Sequence, residues 1–142
     1  KQKKLVSVLK LLKQPVLGIC LGMQLLYETL DEGGLHVEGL GLLKGKVTLL
    51  NTKKNPSPHM GWNKLSFNKS DDFLNGIKEG SYVYFVHSYA AAITNNTLAK
   101  TSYGTDFSSI VKKNNIYGCQ FHPERSSKVG ATILKNFMKI KE

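Results

Sequence analysis

Two short segments carry side chains able to do nucleophilic chemistry. In Gly18-Ile19-Cys20-Leu21-Gly22 a thiol falls where an apolar run from Pro15 to Ile19, reading as a buried strand, gives way to helical spacing from Leu21 to Leu30. A strand-to-helix turn of this kind exposes its apical side chain and needs small neighbours, so the pentapeptide is the thiol counterpart of a nucleophile elbow. The first amides of the following helix would point at the sulfur, and their dipole would favour thiolate. On its own the pentapeptide describes a buried structural cysteine between packing glycines equally well.

A thiol nucleophile needs a base within hydrogen-bond reach, and that base needs a third group to fix its tautomer. Gly118-Cys119-Gln120-Phe121-His122-Pro123-Glu124-Arg125-Ser126 offers both, because the apolar strand ends before Pro123 and leaves His122 and Glu124 at a strand end. Strand ends are where α/β sheets place their sites. Cys119 reads as a core residue, and a disulfide to Cys20, which would remove the nucleophile, is not expected. His36, His59 and His87 read as lying in separate loops, with no metal-ligand spacing among them, and there is no phosphate-binding loop.

The elements that must position these groups belong to one domain of 142 residues with an ordinary globular composition, 41% hydrophobic and 21% charged. No run is long and apolar enough for a membrane span, and the Lys-rich start lacks a signal-peptide core, so a soluble cytoplasmic protein is expected. The net charge of +10 comes from nineteen Lys and a single Arg, Arg125 (20 basic residues in all). Scattered lysines without interleaved aromatics make a solvated surface, not a nucleic-acid platform, although a basic face could still attract a phosphorylated substrate or acidic partner.

In chain order, Leu5, Val8, Leu9 and Leu12 predict an amphipathic helix ending before Pro15; the strand and elbow follow, then a helix from Met23 to Leu30 stopped by Asp31-Glu32-Gly33-Gly34. Lys46 to Leu50 predicts a strand. Asn51 to Pro58 is an exposed loop leading through His59-Met60-Gly61-Trp62-Asn63 into a strand over Lys64 to Phe67. Tyr82 to Phe85, Leu98 to Tyr103, Ser108 to Lys112 and Ile116 to Phe121 predict further strands, with Asn114-Asn115 as a hairpin signal, and Val129 to Ile140 closes the chain as an amphipathic helix. Helix, buried strand, helix is the rhythm of an α/β sheet covered on both faces.

Gly18-Ile19-Cys20-Leu21-Gly22-Met23-Gln24 together with Gln120-Phe121-His122-Pro123-Glu124 resembles the class I glutamine amidotransferases, an α/β family of flavodoxin-like fold with a mixed sheet. Within it, Pro58-His59-Met60-Gly61-Trp62-Asn63, Tyr84-Phe85-Val86-His87-Ser88-Tyr89 and the Glu-Arg-Ser ending are similar to the glutaminase subunits of imidazole glycerol phosphate synthases. The resemblance implies a triad of Cys20, His122 and Glu124, an oxyanion donor at the Leu21 amide, and glutamine held by Gln24, Glu32, Ser88 and Tyr89. It also implies a face made by Met60, Trp62, Tyr84 and Arg125 for a (β/α)₈-barrel cyclase partner in a heterodimer, with no cofactor, metal, nucleic acid or membrane involved. Trp62 as a simple core residue is the alternative.

The resemblance further implies that this chain is the C-terminal portion of such a domain, since the family has strands and a Pro-Gly-rich oxyanion loop ahead of its first helix here. Arg125 stands where a Lys is common. Three rivals stay open: an amidotransferase serving another acceptor, a fragment that only docks on a synthase, and a cysteine hydrolase of similar fold.

Overall fold

The computed structural model describes residues 7–8, 10–32 and 35–140. Most of the predicted N-terminal helix lies outside them; inside them Ser7, Val8, Lys10 and Leu11 are helical. From there run β1 (Val16–Ile19), α1 (Leu21–Gln24), β2 (Tyr27–Glu32), β3 (Leu35–Glu38), β4 (Leu43–Leu49), β5 (His59–Lys64) and β6 (Ser66–Phe67). They are followed by β7 (Tyr82–His87), β8 (Tyr89–Ala91), β9 (Thr97–Tyr103), β10 (Thr105–Lys113), β11 (Ile116–Cys119) and α2 (Ser127–Lys139).

Among the described residues three sheets result. The main one has the order β1-β11-β10-β9-β6, a second runs β3-β2-β4-β8, and β5 and β7 form a two-stranded ribbon. Parallel pairing occurs at β1–β11 and β2–β4, and the remaining pairs are antiparallel. The mixed sheet expected from the sequence is therefore present, but with far less helix on its faces than an alternating βα rhythm implies.

Alternation along β10 and β11 divides the core in two. Ile110, Tyr117 and Cys119 enter one apolar cluster with Phe73, Phe85, Phe107, Phe121 and Ile133, whereas Val111 and Ile116 enter the other with Met23, Leu26, Tyr27, Leu30 and Val47. The first cluster lies under α2 and the second under α1 and β2. The main sheet is thus buried on both faces, which is why β10 is buried without a break from Phe107 to Val111, Ser108 and Ser109 included.

The predicted helix from Met23 to Leu30 is not observed. Helix stops at Gln24, and Tyr27–Glu32 is a strand that pairs with both β3 and β4. Tyr27 and Leu30 are both buried, at 1% exposure each, and the register shift beside them places its extra residue in β4, where Leu43 to Lys46 faces Tyr27 to Thr29. Buried residues three apart gave the start of this strand the spacing of a helix. The segment from His59 to Asn63, expected to be loop, is likewise strand β5, paired with β7 throughout.

The histidines expected in separate loops are also in strands. His36 lies in β3, its Nδ1 3.2 Å from Asp31 Oδ1. His59 and His87 face each other across β5 and β7, at 2% and 6% exposure, with His59 Nδ1 2.9 Å from His87 Nε2 and the rings of Phe85, Tyr103 and Phe107 against His59. Burial lowers both imidazole pKa values to about 4, and for His59 the neighbouring His87 adds to this. An unfolded chain would take up these protons near the ordinary value of about 6.5, before the folded one does. Stability is therefore complete above pH 6.5 and is lost as pH falls from there toward 4, with a slope of up to about 1.4 kcal/mol per pH unit for each proton bound. Thermal melts by circular dichroism between pH 7.5 and 4.5 are expected to show that fall, and a flat profile would contradict it.

Candidate active site

The site grows from the pairing of β1 with β11. Gly18 lies opposite Gly118 and Ile19 opposite Cys119, and the Cys20 amide extends the ladder by donating to the Cys119 carbonyl at 2.7 Å. Two parallel strands therefore release their next residues, Cys20 and Gln120, side by side. Cys20 itself sits at φ 54°, ψ −111°, a backbone region that L-residues rarely occupy, and α1 starts immediately after it. A Cβ on Gly18 would come within 2.6 Å of the Gly22 carbonyl oxygen, and one on Gly118 within 2.8 Å of Met23 Cγ. Gly22, predicted to be a packing glycine, would meet nothing within 4 Å, so among the described residues only Gly18 of the two is required by packing.

The thiol donates to the Val86 carbonyl, S to O 3.7 Å, and accepts from Gln120 Nε2 at 3.8 Å. Its pKa lies above the ordinary thiol value, first because of burial and further because of the Glu124 carboxylate; the Leu21 amide and the Gln120 side chain act in the opposite direction and are outweighed. This corrects the expectation of a dipole-stabilised thiolate. With four residues, α1 has almost no macrodipole, and what reaches the sulfur is one amide hydrogen bond.

His122 and Glu124 are brought together as predicted, His122 Nδ1 lying 2.9 Å from Glu124 Oε2. An ionised carboxylate only accepts, so Nδ1 carries the hydrogen and Nε2 is left as the basic nitrogen. The geometry comes from a 3-10 turn, Pro123–Arg125, that His122 caps, with proline at its start. His122 N donates to the Tyr84 carbonyl at 3.0 Å, and buried Ser126 donates its hydroxyl to the His122 carbonyl at 2.7 Å while accepting from the Tyr84 amide at 2.9 Å. β7 thus touches both halves of the site, through Tyr84 at the histidine and Val86 at the thiol.

Gln24 is buried. Its Nε2 donates to the Tyr89 carbonyl at 3.0 Å and to Gln120 Oε1 at 3.1 Å, which commits both amide hydrogens and leaves Oε1 as the atom able to meet a ligand. Ser88 accepts from the Leu50 amide at the bend between β7 and β8. Glu32 ends β2 opposite Leu35, and its side chain lies outside what is described. Gln120 and Ser126, both fully buried, were not singled out from sequence. The available signal was a polar residue inside an otherwise apolar strand, in one case, and a small hydroxyl just past a Pro-containing turn in the other.

Met60, Trp62 and Tyr84 share one face of the β5–β7 ribbon, with Trp62 directly opposite Tyr84. Met60 is 62% and Trp62 50% exposed, so Trp62 is not a core residue. The Trp62 and Tyr84 rings meet edge to face at 5.9 Å, and the Arg125 guanidinium lies 4.5 Å from the Tyr84 ring centroid. Both cysteines are free, Cys119 is in the core, and among the described residues no cluster of three or more metal-ligating side chains occurs. No helix among them is long and apolar enough to cross a membrane.

A thiol on a strained turn, with a carboxylate-paired imidazole at the neighbouring strand end, has the residue types of a cysteine-dependent hydrolase. Residues 2–140 match the family described as "Glutamine amidotransferase class-I", and the chain belongs to that family. Its curated relatives include imidazole glycerol phosphate synthase subunits HisH from Vibrio vulnificus, 47% identical over 98% of this chain and 70% of that protein, and Shewanella loihica, 49% identical over 99% of this chain and 66% of that protein. A third, HisH 2 from Legionella pneumophila, is 48% identical over 98% of this chain and 69% of that protein. Solved structures of the same fold include a Thermotoga maritima glutamine amidotransferase, with TM-score 0.64 and 16% identity over 95% of this chain and 51% of that one. Another is the glutaminase domain of Trypanosoma brucei CTPS with bound acivicin, TM-score 0.64 and 14% identity over 99% of this chain and 66% of that one. The chain therefore spans about two thirds of its curated relatives' length and about half of the Thermotoga structure.

Proposed function

We propose that this chain is the glutamine-hydrolysing part of an imidazole glycerol phosphate synthase, releasing ammonia for the cyclase step of histidine biosynthesis. The observation that carries the reading is the placement of Cys20, on its strained turn at the end of β1, and of the His122–Glu124 pair just past the end of the neighbouring parallel strand β11. HisH relatives at 47–49% identity over nearly the whole chain support the choice of acceptor pathway.

Because Cys20 rests as a thiol, His122 Nε2 removes its proton as the sulfur attacks the side-chain amide carbon of glutamine. Glu124 keeps His122 in the Nδ1–H tautomer and stabilises the imidazolium that forms. The Leu21 amide, already directed at the sulfur, donates to the developing oxyanion, a contact of a kind worth about 2.7–4 kcal/mol. The imidazolium protonates the leaving ammonia; water, deprotonated by the same ring, then cleaves the thioester to glutamate. Gln24 Oε1, Glu32, Ser88 and Tyr89 bind the amino-acid end of glutamine. No step needs a metal or redox cofactor, and the reaction belongs in the cytoplasm.

The partner is a (β/α)₈-barrel cyclase chain seated on Met60, Trp62, Tyr84 and Arg125. Exposed Met and Trp beside a guanidinium stacked on tyrosine have the composition of a binding hot spot. Residues 1–142 act within one amidotransferase domain. Mixing the full-length protein with the cyclase and glutamine should release glutamate, and Trp62→Ala should weaken association by about 30-fold or more by calorimetry. Unchanged affinity would remove this face as the docking site, and absence of glutamate release would overturn the glutaminase reading.

A further inference from the structure

We propose that the buried pair His59–His87 is a positioning element that links the partner-facing ribbon to the Cys20 thiol through one continuous chain of hydrogen bonds, whose two arms both donate to the Tyr89 carbonyl. The inference rests on the glutaminase reading above.

The donor and acceptor roles in the histidine arm follow from the carbonyls at its two ends. His87 Nδ1 lies 2.9 Å from the Tyr89 carbonyl, which can only accept, so the hydrogen is on Nδ1 and Nε2 of the neutral ring is an acceptor. His59 Nδ1, 2.9 Å from that Nε2, must then be the donor, which makes His59 Nε2 an acceptor in turn. Asn63 Nδ2, 3.2 Å away, supplies that hydrogen and gives its other one to the Ser102 carbonyl at 3.0 Å. Asn63 Oδ1 accepts from the Lys64 amide at 2.7 Å, which independently fixes the same orientation of the amide.

On the far side, the Tyr89 carbonyl also accepts from Gln24, Gln24 passes its second hydrogen to Gln120, and Gln120 donates to Cys20 Sγ. Every donor and acceptor is used consistently, from Asn63, which adjoins Trp62 in β5, to the nucleophile. Most of the chain is sealed: His59, His87, Gln24 and Gln120 are at most 7% exposed. Two buried polar rings among Phe85, Phe107 and Tyr103 are costly unless each satisfies the other, and their cross-strand pairing does so only in this one tautomeric arrangement. Charging either ring would set two N–H groups face to face. Burial keeps both neutral at working pH.

The consequence is mechanical. The Gln24–Gln120 amide pair stands directly behind Cys20, and the Tyr89 carbonyl that holds it is held from the other side by His87. A shift of the thiol by a fraction of an ångström is enough to reduce turnover.

The test uses the full-length protein in complex with its cyclase, comparing wild type, His59→Phe, His87→Phe and the double variant. Phenylalanine keeps the ring in an aromatic site, and the neighbours keep a partner each, since Asn63 still donates to Ser102 and the Tyr89 carbonyl still accepts from Gln24. For glutamine hydrolysis, kcat should fall about 10-fold in each single variant with KM within about twofold, and the double variant should be no worse than the singles, because a chain in series is broken once. Nitrogen-15 NMR of the wild type should find both imidazoles in the Nδ1–H form. Either ring in the Nε2–H form, single variants with wild-type kcat, or losses that multiply in the double variant would each overturn the proposal. A wild-type complex that releases no glutamate would instead overturn the glutaminase reading, and the relay with it.

Discussion

Cys20→Ala is expected to abolish glutamate release, lowering kcat by about 10⁴-fold or more while the protein stays folded and still binds its partner. The other thiol of these 142 residues cannot substitute, because Cys119 is fully buried in the core and its pKa is pushed up further by that burial. His122→Ala should cost nearly as much. An ordinary thiol is only a few per cent thiolate at neutral pH, and burial plus the Glu124 charge move Cys20 further from ionisation, so an elbow without its base presents a protonated nucleophile. Glu124→Gln should be the mildest of the three. It loses the carboxylate that orients His122, yet it also removes a negative charge that raises the Cys20 pKa, and the two effects oppose. Steady-state assays of glutamate formation by the full-length protein with its partner would rank the variants, and a Cys20→Ala protein with more than a few per cent of wild-type turnover would refute the assignment of the nucleophile.

The groups of the proposed triad were legible in the sequence because each is defined locally. Cys20 needs only a strand, a turn and a small residue at Gly18; His122 and Glu124 need only a strand stopped by Pro123. What joins them is the parallel pairing of β1 with β11, 100 residues apart in the chain (120 − 20), and the same βα rhythm that suggested it overstated the helix content. Non-local pairing also hid the histidine relay. His59 and His87 looked like isolated loop residues until β5 and β7 put them opposite each other, 28 positions apart. β2 misled in another way, because Tyr27 and Leu30 are both buried in it at a helical spacing. The predicted thiolate failed on magnitude: one amide from a four-residue helix does not outweigh burial.

Gly130→Ala is expected to destabilise the fold by about 2–4 kcal/mol and to reduce turnover together with stability, although in an exposed helix the same change gains about 1 kcal/mol. Gly130 is the fourth residue of α2, and its amide donates to Ser126 O at 3.0 Å. A Cβ there would be driven into the Pro123 carbonyl, 2.7 Å from its carbon and 2.9 Å from Ser126 Cβ. The first two are backbone atoms, which cannot swing aside as the end of a flexible side chain would. Neither element is free to retreat. The turn is held by the Arg125 and Ser126 amides and by the Ser126 hydroxyl on the His122 carbonyl. The helix is held by fully buried Ile133 and by Asn136 Nδ2, which donates to the carbonyls of Phe73 and Asn75. Whatever yields first is next to His122 and Glu124, so the strain reaches the base and its orienting carboxylate, and kcat should fall at temperatures where the variant is still folded. Lys135→Ala, on the exposed side of the same helix, should change stability by less than about 0.5 kcal/mol. Thermal melts and glutaminase assays on the two variants, measured side by side, decide the matter: a Gly130→Ala protein as stable as Lys135→Ala would mean that α2 does not bear on the His122 turn as described.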